Sequence, residues 1–198
     1  MSTSQMHPGK LPSNYKEVLY WKIGEKASRL VLMNLLSIPL ALVSGFGFFI
    51  FVQLLGKPPK FTFDDSKQTV ILFIGFIITI ILHEITHGFG MRIFGARTKY
   101  SFEWKKLMII AAAPWHAFQR NQYLVFCLAP LVVLSILACC GIVVQAGTSA
   151  VWFLAIWATI NASMAIGDMW IAALALRYDS SAYIVDEQDG MRIFLPSN

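Results

Sequence analysis

The most marked shortage in this 198-residue sequence is charge. Only 14% of the residues are charged, whereas 57% are hydrophobic, and the mean hydropathy is +0.61. A soluble globular domain has about 25% charged and about 45–50% apolar residues, so the composition excludes that class and predicts an integral membrane protein. Because backbone polar groups in lipid must be satisfied within their own segment, most of this single domain is predicted to be α-helix.

Cysteine and histidine are also scarce. The three cysteines, at 127, 139 and 140, lack CxxC spacing, and adjacent cysteines pair poorly, so we interpret them as small packing residues. Four histidines are too few for the repeated histidine boxes of a membrane di-iron oxygenase. The first apolar run starts only at Leu30, which is too late and too long for a cleaved signal peptide, and we expect an uncleaved anchor.

Long apolar runs predict four membrane-spanning helices, because about 20 residues at 1.5 Å rise cross roughly 30 Å of hydrocarbon. Upstream of them, apolar and basic residues recur at near-helical spacing from Asn14 to Arg29, which predicts a helix lying in the membrane interface. The predicted spans are 30–55, 70–92, 123–144 and 150–176. The predicted organisation is a cytosolic N-terminus with the interfacial helix (1–29), a first transmembrane helix (30–55), a three-helix core (69–176) and a cytosolic tail (177–198).

Basic residues are distributed unevenly between the predicted loops. Of the sixteen Lys and Arg residues, only Lys57, Lys60 and Lys67 lie between the first and second spans, and the remaining thirteen lie on the side that holds both termini. Since cytoplasmic loops are enriched in Lys and Arg, both termini are predicted to be cytosolic. The same bias accounts for the net charge of +5, so the expected partner is the lipid bilayer and not nucleic acid.

Two short pieces outside the spans are predicted to be non-helical. The segment 97–113 alternates loosely and predicts a hairpin or a re-entrant strand. Strand-like residues at 183–185 and 191–194 flank Asp189-Gly190, a hairpin turn signal. The predicted fold class is therefore an all-α polytopic membrane protein with about four transmembrane helices and short cytosolic hairpin-like segments.

The second predicted span ends in three ionisable residues, His83, Glu84 and His87. Such residues inside a membrane are costly, so three together indicate a function, although two histidines that only pack between helices remain the alternative. On a helix, the two histidines lie one turn apart on one face and can both direct a ring nitrogen to one Zn²⁺. Glu84 lies beside the metal, where it can act as the catalytic base towards water activated by zinc.

A catalytic zinc needs three protein ligands and one open position. The candidates for the third ligand are Asp168, His116, Glu103 and the acids of the tail. Asp168 is the only acid in the apolar part of the fourth span, and the second and fourth spans run in the same direction, so it is expected at the depth of His87. We therefore predict Asp168 as the ligand and His116 as a residue of the membrane interface. A structural or proton-carrying network around Asp168 is the alternative.

The HExxH element in one membrane helix and Asn161…Gly167-Asp168 in a later one resemble the site-2 protease class of intramembrane metalloproteases. Over residues 72–190 the chain more closely resembles a family of small four-span bacterial membrane proteins described as zincin peptidases. Site-2 proteases carry the third ligand in an Asn-Pro…Asp-Gly motif, and here Ala162 and Met169 stand in place of its proline and glycine. The resemblance implies a bacterial membrane protein with a three-helix catalytic core that cleaves a transmembrane or membrane-adjacent peptide.

The predicted function is therefore that of a zinc metalloprotease acting on membrane-embedded or membrane-adjacent peptide substrates. The amide of Asn161 is expected to contact the oxyanion or the substrate, and the segment 97–113 to hold an unwound substrate as an added strand. The alternatives are a transporter or proton relay that uses the same His, Glu and Asp residues, and a catalytically silent membrane scaffold. Four spans without a visible inverted repeat disfavour the transporter, and stoichiometric zinc would separate the enzyme from the scaffold.

Overall fold

The computed structural model describes residues 11–25, 27–56, 66–103, 108–187 and 190–197, and this part of the chain is mostly helical. Its helices are α1 (Ala27–Leu54), α2 (Ser66–Ile93), α3 (Arg120–Val144), α4 (Ala150–Met164) and α5 (Ile166–Ala175), with a 3₁₀ turn at Ile23–Glu25 before α1. Its strands are β1 (Tyr15–Lys22), β2 (Lys99–Glu103), β3 (Met108–Ala112), β4 (Ala117–Gln119), β5 (Tyr183–Glu187) and β6 (Gly190–Pro196).

Four helical segments of the described chain are long and apolar enough to cross a membrane. They are α1, α2, α3 and the consecutive helices α4 and α5, which together form a segment of 26 residues. Large apolar side chains cover the outer sides of these helices; Leu42 is 69% exposed, Phe46 66% and Phe73 64%. The number and order of the predicted spans are confirmed, and their length and composition indicate a membrane protein.

The fourth span is interrupted near its middle, which corrects the prediction of one helix over 150–176. Helix α4 ends at Met164, Ala165 adopts φ −68° and ψ 2°, and α5 begins at Ile166. Gly167, which has low helix propensity, follows directly and lowers the cost of a break. As a result Asp168 lies in the first turn of α5, where the aligned backbone dipoles stabilise negative charge.

Four of the strands form one antiparallel sheet in the order β1-β6-β5-β4. Strands β5 and β6 are the predicted C-terminal hairpin, paired from Tyr183↔Phe194 to Glu187↔Gly190, and its turn at Asp189 lies outside the described residues. Strands β2 and β3 form a separate hairpin, paired from Lys99↔Ala112 to Glu103↔Met108. Both predicted hairpins are confirmed, but the all-α fold class omitted the four-stranded sheet.

The predicted interfacial helix within residues 14–29 is wrong over most of its length, because Tyr15–Lys22 is strand β1. A bulge between Glu17 and Leu19 inserts an extra residue into the pairing of β1 with β6. The aromatic and aliphatic residues of β1 that are not exposed, Tyr15, Leu19 and Trp21, are therefore four and then two positions apart. The four-residue spacing from Tyr15 to Leu19 resembles the spacing of an amphipathic helix, which explains the wrong prediction. The aromatic and β-branched side chains of this segment favour a strand.

The contacts divide the chain into two compact units, each with its own core. One unit comprises Met1–Leu30, Glu84–Leu128 and Asp168–Asn198, and the other Val31–His83 and Ala129–Gly167. The first contains both sheets, and its core includes the fully buried Phe118, Tyr123 and Ile184. The second is helical, and its core contains Val52, Ile142, Val151 and Ala155. Helix α2 contributes its residues up to His83 to the second unit and its residues from Glu84 onwards to the first.

Candidate metal centre

The HExxH residues form a compact group on one turn of α2. His83 and His87 are buried, at 4% and 8% exposure. One ligand atom from each of His83, Glu84 and His87 lies within 4.8 Å of the others, and among the described residues this is the group that could hold a metal ion. Two imidazole nitrogens and a carboxylate oxygen are ligand types that Zn²⁺ accepts.

The ring of His87 is oriented by the backbone of α3. Its Nδ1 lies 3.0 Å from the carbonyl oxygen of Phe126, and since a carbonyl can only accept, Nδ1 carries the proton. The other nitrogen, Nε2, is then the atom that could bind a metal. The close approach of α2 and α3 depends on Gly90, because a Cβ at this position would lie 2.6 Å from the Cβ of Phe126.

The ring of His83 is oriented by a side chain of α4. Its Nδ1 lies 3.0 Å from Oδ1 of the buried Asn161, whose Nδ2 donates to the carbonyl of Pro130 at 3.1 Å. Because the Pro130 carbonyl can only accept, the amide nitrogen of Asn161 faces Pro130 and its oxygen faces His83. His83 therefore also carries a proton on Nδ1, which leaves Nε2 as the atom that could bind a metal. The predicted contact of Asn161 with an oxyanion or substrate stays a prediction.

Glu84 is held by the β2–β3 hairpin. Its Oε2 accepts the backbone N–H of Ala111 in β3 at 2.8 Å. A second hydrogen bond joins this region to α2 one helical turn after Glu84. The hydroxyl of Thr98, the residue before β2, donates to the Gly88 carbonyl at 2.9 Å. A Cβ at Gly88 would meet the hydroxyl of Tyr100, so a larger residue there would require the Tyr100 side chain to move. The free edge of β3 thus lies against the carboxylate of Glu84.

Asp168 lies beside His87, as its predicted depth required. Its Oδ1 is 3.3 Å from Nε2 of His87, the nitrogen assigned above to the metal. Two ligands of a tetrahedral zinc with bonds of about 2.0–2.1 Å are themselves about 3.3 Å apart, so the spacing fits a shared metal ion. The thiol of Cys127 donates to the backbone carbonyl of Asp168 at 3.2 Å and helps to fix the turn. The role of Asp168 as a ligand stays a prediction.

The other candidate ligands are His116, Glu103 and the acids of the tail. His116 is buried, with its ring 4.6 Å from that of Phe118, and like Asp168 it is not in the group formed by His83, Glu84 and His87. The side chain of Glu103 lies outside the described residues. In the tail, Asp179 is exposed and Glu187 pairs with Arg192 at 2.9 Å.

One of the tail acids, Asp186 of β5, lies near this site, although sequence reasoning did not single it out. It is buried, and its Oδ1 accepts the hydroxyl of the fully buried Tyr123 at 3.3 Å. Burial raises the pKa of Asp186 to about 8. Its side chain shares a sheet face with Ile184 and Met191, two core residues, and an acid in such an apolar strand was the signal available in the sequence.

Asp186 is expected to make stability depend on pH. Its folded pKa of about 8 lies above the value of about 3.9 for an unfolded Asp, so the folded state binds more protons between these values and stability falls as the pH rises through them. Asp186→Asn keeps an acceptor for Tyr123 and cannot ionise. Its melting temperature, measured in detergent without zinc, should therefore exceed that of the wild type by a margin that grows across this window.

Asp179→Asn is the control for this measurement. Asp179 is exposed and accepts the Ser181 N–H at 2.8 Å, and this bond lowers the pKa of its carboxyl. Asp179 therefore titrates below the pH range in which Asp186 affects stability. Across that range, the melting temperature of Asp179→Asn should differ from that of the wild type by a constant amount. If the melting temperature of Asp186→Asn also differs from that of the wild type by a constant amount, Asp186 is ionised in the folded protein.

A comparison with known families agrees with this geometry. Residues 76–183, more than half of the chain, match the family described as "Putative zincin peptidase", and the matched segment contains His83, Glu84, His87 and Asp168. No curated protein and no solved structure matches the chain. The family implies zinc as the cofactor, and the group around His83 could hold it. The chain therefore belongs to this zincin peptidase family.

Proposed function

We propose that the protein is an intramembrane zinc metalloprotease of the site-2 protease type, which hydrolyses peptide bonds of membrane-embedded or membrane-adjacent substrates. The observation that carries the proposal is the HExxH group, buried at one end of a helix long and apolar enough to span a membrane. A peptidase site in this position acts on peptides that are in the bilayer or close to its surface.

His83, His87 and Asp168 are the proposed ligands. Hydrogen bonds on Nδ1 direct Nε2 of both histidines to the metal, as is usual for histidines that bind zinc. The carboxylate of Asp168 is 3.3 Å from Nε2 of His87, and its position in the first turn of α5 favours the ionised form that ligation requires. Three protein ligands leave one position open, which is the arrangement of a catalytic zinc site.

Glu84 is the proposed general base. Zinc, when bound, acts as a Lewis acid that activates water and polarises the scissile carbonyl. Glu84 accepts a proton from the attacking water and passes it to the nitrogen of the leaving amine, so that a C–O bond forms, the C–N bond breaks and the products are a carboxylic acid and an amine. The Ala111 N–H fixes the orientation of this carboxylate.

The β2–β3 hairpin is the proposed substrate platform. The Ala111 N–H points to Glu84 and not to β2, so the outer edge of β3 borders the catalytic carboxylate. An extended peptide that pairs with this edge would bring its carbonyl groups next to Glu84. A helical substrate must unwind first, because its carbonyls are engaged in its own hydrogen bonds.

We also propose that the protein is a multi-pass protein of the bacterial cell membrane with both termini in the cytosol. Thirteen of its sixteen Lys and Arg residues lie on that side in a four-span topology. The sheet formed by β1, β4, β5 and β6 would then be cytosolic, together with the β2–β3 hairpin that borders Glu84.

The test is metal content measured together with cleavage. Protein purified in detergent should contain one zinc per chain, chelation should abolish cleavage of reconstituted transmembrane peptides, and added zinc should restore it. Cleavage that persists after complete removal of zinc would refute the proposal. Purified protein without zinc would favour a scaffold, and bound zinc with proton flux but no cleavage would favour a transporter.

A further inference from the structure

Helix α3 contains a proline, Pro130, in its interior. Proline has no N–H, and its ring clashes with the carbonyl four residues earlier, so it is the least favourable residue for a helix interior. In α3 that carbonyl belongs to Phe126. It therefore lacks the N–H donor that a helix normally supplies four residues later.

The Phe126 carbonyl is the group that accepts the Nδ1 proton of His87, at 3.0 Å. A backbone carbonyl in the middle of a helix is normally engaged along the helix axis, whereas this one is available to a side chain on a neighbouring helix. Pro130 thus explains how α3 presents an acceptor to His87 without any polar side chain of its own.

The second histidine is linked to the same turn. The carbonyl of Pro130 accepts Nδ2 of Asn161 at 3.1 Å, and Oδ1 of Asn161 is 3.0 Å from Nδ1 of His83. Asn161 is 1% exposed, so its amide orientation depends on these protein partners. Two carbonyls of one turn, at 126 and 130, therefore set the tautomers of both histidines.

We propose that the segment Phe126–Pro130, the proline turn of α3, is the positioning element of the metal site, and that Pro130 is its determining residue. The inference rests on the proposed function in one respect, namely that His83 and His87 bind zinc through Nε2. Pro130 acts through Phe126 and Asn161 and touches neither metal nor substrate.

Pro130→Ala tests the proposal. The new N–H bonds to the Phe126 carbonyl along the helix axis and competes with His87, so zinc affinity should fall by about 10–100-fold, the range for losing a partner that orients a ligand. The melting temperature of the zinc-free protein should not fall, because alanine suits a helix better than proline does. Zinc affinity is measured by competition with a chromophoric chelator.

The tautomers provide a readout that needs neither zinc nor activity. In zinc-free protein labelled with ¹⁵N-histidine, the wild type should show a proton on Nδ1 of both His83 and His87, and Pro130→Ala should lower the fraction of His87 rings that hold this proton in a hydrogen bond. Asn161→Leu removes the side chain that accepts the Nδ1 proton of His83. It should lower the fraction of His83 rings that hold this proton in a hydrogen bond, and it should weaken zinc binding by about 10–100-fold.

Pro39→Ala is the matched control, because Pro39 lies inside α1 and is the other helix proline of the described chain. It should leave zinc affinity and tautomers unchanged. Wild-type zinc affinity and unchanged tautomers in Pro130→Ala would overturn this inference alone. If Pro130→Ala does not fold, unchanged binding and tautomers in Asn161→Leu would overturn it. A wild-type protein that binds no zinc would instead refute the proposed function.

Discussion

Glu84→Gln is expected to abolish peptide cleavage while zinc stays bound at the wild-type level. Glutamine has the size of glutamate but cannot accept the proton of the attacking water, and a lost general base costs about 10²–10⁴-fold in rate. The amide oxygen still accepts the Ala111 N–H, which Glu84 now accepts at 2.8 Å, so the β2–β3 hairpin should keep its place. Single-turnover cleavage of a reconstituted transmembrane peptide and zinc analysis of the same preparation measure both quantities.

Glu187→Gln is the matched control for this variant. Glu187 pairs with Arg192 at 2.9 Å and is not in the metal-binding group, so its replacement should leave cleavage unchanged. Cleavage by Glu84→Gln at the wild-type rate would remove Glu84 from the role of base. Loss of zinc would instead make Glu84 a ligand, which its place in the group around His83 would allow. An inactive but folded Glu84→Gln variant can also retain bound substrates, which co-purification would then identify.

The sequence predicted the elements that depend on local signals. Each of the four spans is a membrane-length apolar run, and His83 and His87 are one helical turn apart wherever the helix lies. The contact of Asp168 with His87 was expected from depth, because two spans of the same direction place residues near their C-terminal ends at one level. The outline of the metal site was therefore accessible before any tertiary contact was known.

The features that the sequence did not predict depend on distant partners. Strand β1 exists because it pairs with β6, more than 160 residues later, and its bulge conceals the two-residue alternation. Asp186 and Tyr123 are 63 residues apart, and nothing local to either one indicates their hydrogen bond. Pro130 was visible as a helix proline, but only the fold shows that the carbonyls at 126 and 130 serve His87 and Asn161.

Asp168→Ala is expected to remove most of the bound zinc. If Asp168 is the third ligand, its loss leaves two histidines, and zinc affinity should fall by more than the 10–100-fold typical of losing a partner that only orients a ligand. Asp168→His should restore part of the zinc affinity, because three histidines also form a zinc site. The 3.3 Å contact between Oδ1 of Asp168 and Nε2 of His87 is the observation behind this expectation.

The measurement is metal content after mild chelation, with His116→Ala as the control. His116 is buried against Phe118, so if Asp168 is the third ligand, the loss of His116 should affect packing and not zinc retention. If Asp168 instead belongs to a proton path, Asp168→Ala should keep its zinc and lose only pH-dependent activity. Zinc loss in His116→Ala with retention in Asp168→Ala would assign the ligand to His116. The 3.3 Å spacing would then be an ordinary contact between a carboxylate and an imidazole.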